Sequence, residues 1–131
     1  MSCVLFTNNT TGAAIEADAQ IPFGTIVHRK GRGAVLENNV IIVRGGCNDY
    51  STMSGVANLV AAAAGDIAIT VSVDGVNALT VTTTAVAEGD YVAIPFDLVL
   101  KGNCCGPHRI TVSVNAACNV SSFPVKTITG V

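Results

Sequence analysis

The sequence predicts an all-β protein of antiparallel strands. In residues 67–73 every odd position is large and β-branched, and the even positions are small or polar. This period of two places alternate side chains on opposite faces of a strand. Asp74-Gly75 follows at once and suits a type I′ hairpin turn. The chain then returns through the threonine-rich run 80–84, whose β-branched residues favour strand geometry.

Short apolar segments separated by turn residues precede this tract. Residues 3–6 form an apolar strand that the polar segment 8–12 ends, and residues 25–27 and 34–36 flank a basic loop. Residues 40–43 are apolar on both faces, as in a strand that is covered on both sides. Short strands are therefore predicted throughout this part of the chain.

Residues 50–64 fit either a helix or a strand. In a helix, five side chains would form one apolar stripe: Met53, Val56, Ala57, Val60 and Ala61. Alanine favours that helix. In a strand, alternate residues from Tyr50 to Val60 would share one face. We predict a strand, because the neighbouring segments on both sides are strands.

The remaining strands follow the hairpin. The turn 88–90 leads into residues 91–100, whose even positions form one apolar face. Residues 108–114 alternate clearly, and the last apolar stretch, 118–128, contains Pro124, which implies an edge strand or a bulge. Eight to ten short strands with regularly spaced turns are typical of a sandwich or barrel. We predict a single domain over residues 1–131, since no repeat or linker divides the chain.

The composition indicates that other subunits cover part of the surface. Half of the residues are hydrophobic and only 12% are charged, and the mean hydropathy is +0.54. Small monomers usually carry many more charged groups on their surface. No run of about 18 uninterrupted apolar residues is present, so we predict no membrane insertion. Because obligate interfaces are more apolar than ordinary surface, we favour a homo-oligomer over a monomer whose surface is rich in small residues.

Charge and leader sequence exclude two further classes. A net charge of −2 argues against a dedicated nucleic-acid binder. The basic cluster 28–32 fits a contact with phosphate or an anionic glycan, but it fits better a solvated loop that Gly31 and Gly33 keep open. The first six residues lack the basic leader of a signal peptide, so we expect synthesis in the cytoplasm.

Five cysteines are present: Cys3, Cys47, Cys104, Cys105 and Cys118. Their number and spacing fit neither a secreted disulfide framework nor paired zinc knuckles. Two thiol pairs are considered, Cys104 with Cys105, and Cys3 with Cys118 if the first and last strands are neighbours. Cytoplasmic synthesis favours free thiols. Cys104, Cys105 and His108 would need a fourth ligand from elsewhere, so no metal or other cofactor is predicted.

Catalytic motifs are missing from the sequence. There is no G-x-S-x-G elbow, no H-E-x-x-H pair and no phosphate-binding glycine-rich loop. A nucleophilic pair of Cys105 and His108 would need an orienting acid and an oxyanion hole that the sequence does not supply. Three aspartates fall in predicted turns, where aspartate commonly bonds its own backbone: Asp66, Asp74 and Asp90. The sequence therefore predicts a protein that is not an enzyme.

The order of these features resembles the jelly-roll modules of the C1q/tumour-necrosis-factor superfamily, especially the bacterial and phage versions found at fibre tips and spore surfaces. The resemblance extends from about Gly24 to Ile128 and depends on an ordered set of segments: 40–43, Gly46-Cys47, the long strand from Tyr50, Gly65-Asp66, 73–75, 92–96, 110–112 and 120–128. It implies a ten-strand antiparallel jelly roll that assembles as a compact homotrimer. The chain has few aromatic residues, no Gly-X-Y stalk and no recognisable acidic calcium-binding pattern, so calcium binding and a particular receptor are not carried over.

In such a trimer, sheet edges and one sheet face would pack around the three-fold axis. The candidate interface residues are Val56, Leu59, Val60, Tyr91 and Phe96. Tyr and Phe supply a large contact area at modest entropic cost. The alternative is that these five side chains belong to the core of one subunit.

The predicted function is that of a non-enzymatic structural and interaction protein. We expect a trimeric virion component, a phage capsid decoration or fibre-head protein, which is made in the host cytoplasm and assembled onto particles. The alternative is an adhesive module of a bacterial cell or spore surface that binds a glycan or protein through its loops. The expected partners are further copies of the chain, other virion or surface proteins, and a glycan or protein of the host surface.

Overall fold

The computed structural model describes residues 3–44, 49–102 and 106–130, which form two antiparallel sheets without any helix. The strands are β1 (Cys3–Asn8), β2 (Ala14–Ile15), β3 (Thr25–Lys30), β4 (Ala34–Glu37), β5 (Val40–Val43), β6 (Tyr50–Ala61), β7 (Gly65–Val73), β8 (Val76–Ala85), β9 (Tyr91–Lys101), β10 (His108–Val114), β11 (Cys118–Ser122) and β12 (Val125–Thr129). The all-β prediction is confirmed. Within the described residues, no helix is long and apolar enough to cross a membrane.

The described residues contain twelve strands, so the expected number of ten is wrong. One extra strand is the two-residue β2, which is too short to leave a period of two in the sequence. The other arises where residues 118–128, predicted as one strand, divide into β11 and β12 around Pro124. Proline cannot donate a ladder hydrogen bond, and the pairing of β11 with β6 shifts register just before it.

The larger sheet has the order β2-β11-β6-β12-β1-β3, and β9 pairs with the other edge of β6. The prediction of a strand in residues 50–64 is confirmed over Tyr50–Ala61. Its alanines do not form a helix because β6 has partners on both edges: β9 pairs along nearly its whole length, and β11 and β12 share the opposite edge. Tertiary pairing thus overrides local helix propensity.

The smaller sheet has the order β4-β5-β10-β7-β8. Asp74 (φ 55°) and Gly75 (φ 82°) both adopt the positive φ that a type I′ turn requires, so the predicted hairpin between β7 and β8 is confirmed. The alternation of β7 is confirmed as well, because Ile67, Ile69 and Val71 are all buried.

The core lies between the facing sides of the two sheets. Its largest side chains include Phe23 and Phe123, whose rings stack with centroids 5.6 Å apart. Ile94 from the larger sheet and Ile110 from the smaller one are fully buried in the same cluster. Burial of each such side chain contributes about 1.5–3 kcal/mol, so the inner faces hold the sandwich together and the outer faces are left for other contacts.

Candidate subunit interface

The outer face of the larger sheet is the candidate interface, and strand β9 shows how it forms. Along β9, Val92, Ile94 and Phe96 are buried while Tyr91 and Pro95 are exposed. The antiparallel register places Val60 of β6 opposite Tyr91, and Val56 opposite Pro95. Alternation therefore brings an aromatic, a proline and two valines to the side of the sheet that faces away from the core.

A shallow groove of about 440 Å³ crosses this outer face. Its lining is mostly apolar: Phe6, Ser54, Gly55, Val56, Pro95, Phe96, Pro124 and Lys126. Gly55 lets the chain pass close beneath the groove, since a Cβ atom there would lie 2.7 Å from the Pro124 carbonyl oxygen and 3.0 Å from the Phe96 ring. The backbone amide of Val56 donates to the same oxygen at 3.2 Å. Pro124, in the break between β11 and β12, thus contributes one part of the groove wall.

The five predicted interface residues lie in three different environments. Tyr91 is 77% exposed, and Val56 and Val60 are half-buried on the same outer face. Leu59 is fully buried in the core and has no surface to offer a partner. Phe96 is 5% exposed; it lines the groove, but its ring lies 6.2 Å from that of Phe123 in the core.

Strand alternation explains this division. Val56 and Val60 are four positions apart and share a face, whereas Leu59 falls on the opposite one. Tyr91 and Phe96 are likewise on opposite faces of β9. The same rule points to Pro95 and to Val99, which is 63% exposed and which the sequence prediction missed. Phe6 reaches the groove from β1 and Pro124 from the break between β11 and β12, so no local pattern indicated them.

The outer face of the smaller sheet has a different chemistry. Cross-strand pairs of hydroxyl, amide and carboxylate groups run between β7 and β8. The Thr70 and Thr80 hydroxyls are 3.3 Å apart, and the Thr84 hydroxyl donates to Asp66 Oδ1 at 2.9 Å. The part of this face formed by β7 and β8 therefore pairs its polar groups within the sheet and remains compatible with water.

Comparison with solved structures finds a similar fold in several other proteins. The structure of murine APRIL at pH 5.0 matches with a TM-score of 0.67 at 17% identity, over 100% of both chains. The globular domain of zebrafish complement 1qA protein matches with a TM-score of 0.63 at 5% identity, over 95% of this chain and 94% of that one. The PRD1 vertex protein P5 matches with a TM-score of 0.63 at 16% identity, over 98% and 96%.

The chain has the C1q/TNF-like jelly-roll fold. The resemblance drawn from the sequence is thereby confirmed at the level of the fold. No protein-family model matches the chain, and no curated protein matches it. With identities of 17% or less, the shared fold leaves the biological role to be argued from the surfaces of this jelly roll.

The jelly roll keeps Cys3 and Cys118 far apart, and both thiols are free. Cys3 pairs through Thr129 with Ser51 near the start of β6, whereas Cys118 pairs with Ala61 at its end. Ten positions along a strand span about 33 Å. A disulfide between Cys3 and Cys118, one of the two thiol pairs suggested by the sequence, therefore does not form within one chain. The first and last strands are indeed neighbours, but Cys118 lies in β11 and not in β12. Cys47, Cys104 and Cys105 lie outside the described residues.

The two thiols have opposite electrostatic surroundings. A backbone hydrogen bond at Gly33 and the hydroxyl of Thr129 lower the pKa of the Cys3 thiol. Burial raises the pKa of the Cys118 thiol. Among the described residues, no three His, Cys, Asp or Glu side chains group closely enough to hold a metal ion.

One polar cluster joins the two sheets at an end of the jelly roll. Asp74, in the β7–β8 turn, accepts hydrogen bonds from the Arg109 amide at 2.9 Å and from His108 Nδ1 at 2.7 Å. The other ring nitrogen of His108 donates to the Lys101 carbonyl at 2.9 Å. Both acceptors require a proton on the nitrogen that faces them, so the complete cluster needs the imidazolium form of His108.

Proposed function

We propose that the protein is a non-enzymatic structural protein that assembles as a homotrimer and forms part of a phage particle, as a capsid decoration or fibre-head protein. The observation that carries the proposal is the apolar outer face of the larger sheet. Tyr91, Val56 and Val60 lie on this face beside the groove, although they would favour burial.

The area that a trimer needs is modest for this chain. A stable interface buries about 800 Å² on each partner, and the accessible surface of the chain is 6624 Å². Because each subunit of a three-fold trimer contacts two neighbours, about a quarter of its surface is buried. Tyr91 is the natural anchor, because an exposed tyrosine buries a large area and keeps a hydroxyl for a hydrogen bond at the rim. Val56 and Val60, together with the groove beside them, offer apolar area for it to contact.

Two further observations support a role in a particle. The low charge content of the chain fits a protein whose surface is partly covered by other subunits of an assembly. The fold and the full-length coverage are shared with a protein named as the vertex protein of the phage PRD1. Other particle proteins are accordingly the partners that we propose, in addition to further copies of the chain.

Sedimentation velocity at micromolar concentration tests the assembly. A trimer sediments as a species of about 40 kDa, three times the 13.3 kDa of one chain. A stable monomer at these concentrations would contradict the trimer.

Mass spectrometry of purified particles from the producing culture tests the location. We expect the chain at stoichiometric amounts in the particle fraction. Recovery with the cell envelope or spore coat, and not with particles, would overturn the virion role in favour of a surface adhesive module.

A further inference from the structure

Among the described residues, strand β3 is an edge strand, and no other strand pairs with its second side. It pairs with β1 along one edge and ends the larger sheet. All six of its residues, Thr25–Lys30, are exposed. Such an edge presents unpaired amides and carbonyls to which an extended segment of another chain can add as a further strand.

The side chains divide this edge into two halves. Ile26 and Val27 are 42% and 58% exposed, which is unusual for apolar residues with no cover. His28, Arg29 and Lys30 form a basic half directly after them. The register with β1 shifts between these halves and leaves Val27 as the extra residue of a bulge.

Within the described part of the chain, no acidic side chain forms an ion pair with the basic half of β3. Among the described residues, the one ion pair joins His108 to Asp74, so Arg29 and Lys30 have no carboxylate partner there. A second copy that added here would double the positive charge at the edge and place basic residues opposite Ile26 and Thr25. An acidic strand would neutralise that charge instead.

We propose that β3 docks an extended acidic segment of another protein, which adds to the larger sheet as a further antiparallel strand. In that orientation the N-terminal half of the segment supplies acidic residues opposite His28, Arg29 and Lys30. Its C-terminal half supplies apolar residues opposite Ile26 and Val27. Backbone hydrogen bonds hold the strand, and the charges select it.

This docking edge adjoins the candidate subunit interface but uses a different side of the sheet: the groove reaches β1 at Phe6, which pairs with His28, whereas the docking side of β3 faces away from β1. Strands β12 and β1 lie between β6 and β3, and β9 is on the far edge of β6. A trimer and a docked segment can therefore coexist. Peptide binding by β3 is measured independently of the oligomeric state.

The test uses a fluorescein-labelled hexapeptide, Glu-Glu-Glu-Val-Val-Thr, and the intact protein. We expect saturable binding by fluorescence anisotropy that weakens as salt is raised. A second peptide with the same residues is N-methylated at alternate positions, which keeps its charge and removes backbone donors. We expect it to bind about tenfold more weakly or worse. Equal binding of the two peptides would overturn strand addition, because it would show that the site binds any polyanion. Displacement of both peptides by a sulfated glycan would also indicate such a general polyanion site.

A matched pair of variants locates the site. We expect Arg29→Glu to weaken binding of the unmethylated peptide by about tenfold. Arg109→Glu makes the same change of charge on the smaller sheet and should leave binding within about twofold of the wild type. Similar losses in both variants would overturn the assignment to β3. Circular dichroism confirms that each variant is folded, and sedimentation reports the oligomeric state separately.

Discussion

The outer faces of the two sheets differ although the strands of both are rich in β-branched residues. The larger sheet presents Tyr91, Pro95 and Val56 beside a groove. The smaller sheet presents threonines whose hydroxyls pair across β7 and β8, as at Thr70 and Thr80. Valine and threonine satisfy strand geometry equally well, but only threonine is satisfied by water and by its cross-strand neighbours. Strand formation and subunit contact are therefore separate properties of each position.

The largest effect on association is expected when a charge is placed on the apolar outer face of the larger sheet. Val56→Asp would bury an unpaired carboxylate in the candidate interface, and we expect it to weaken association by about a hundredfold or more. Sedimentation velocity should then show a monomer at concentrations where we expect the wild type to sediment as a trimer.

Thr82→Asp is the matched control, since it adds the same charge to the exposed face of the smaller sheet. We expect it to sediment like the wild type. Dissociation by both substitutions, or by neither, would contradict the division of roles between the two faces.

A smaller effect, on stability, is expected from a substitution at Gly55, where the chain packs closely beneath the groove. In Gly55→Val the new side chain would meet the Pro124 carbonyl and the Phe96 ring. We expect the free energy of unfolding to fall by about 1–3 kcal/mol in urea titrations. Thr82→Val provides the comparison on the other face and should change stability by less than about 0.5 kcal/mol. Equal unfolding free energies of the two variants would contradict close packing of Gly55 against Pro124 and Phe96.

The cluster that joins the two sheets predicts a pH dependence. The hydrogen bond to Asp74 raises the pKa of His108 above its usual 6.5, and the same bond lowers the pKa of Asp74 below its usual 3.8. The contribution of His108 is complete below pH 6.5 and is lost as the pH rises through its raised pKa. The contribution of Asp74 is complete above pH 3.8 and is lost as the pH falls through its lowered pKa. The cluster thus stabilises the fold most between these two values.

His108→Gln tests this window by urea titration at several pH values. Because the cluster is partly exposed, we expect the variant to lose less than about 1 kcal/mol at pH 5 and still less at pH 9. We expect the variant to sediment like the wild type, since none of the cluster residues lines the groove. A stability difference that does not change with pH would show that His108 acts through packing alone.

The smallest effect is expected within the polar face. Thr80→Val removes one hydroxyl of the pair with Thr70 and keeps the β-branched shape. We expect a change in unfolding free energy within about 0.5 kcal/mol and no change in sedimentation. A shift to larger species would be informative, because it would mean that the hydroxyls keep this face from associating.

Local patterns predicted the parts of the molecule that depend on neighbouring residues. The alternation of Ile67, Ile69 and Val71 and the positive φ of the Asp74-Gly75 turn were read directly from the sequence and are confirmed. The inward orientation of Leu59 and Phe96 could also have been predicted from the sequence, because strand alternation places them on the face opposite to Val60 and Tyr91.

Other features depended on residues far apart in the chain. The separation of Cys3 from Cys118 follows from which edge of β6 each strand occupies, and no spacing in the sequence reveals it. The groove likewise joins Phe6 to Pro124 across strands that are more than a hundred residues apart in sequence.

The sequence by itself determined that this chain forms antiparallel strands, where its main hairpin turns, and that it carries few charged residues. These properties are set by side-chain alternation, turn conformation and composition, which act locally or on average. The tertiary structure decided which face of each strand is inside, which outer face is apolar, and which edge is open and basic. Those outcomes depend on strand order and register, and they arise only when distant strands pair and bury one face between them.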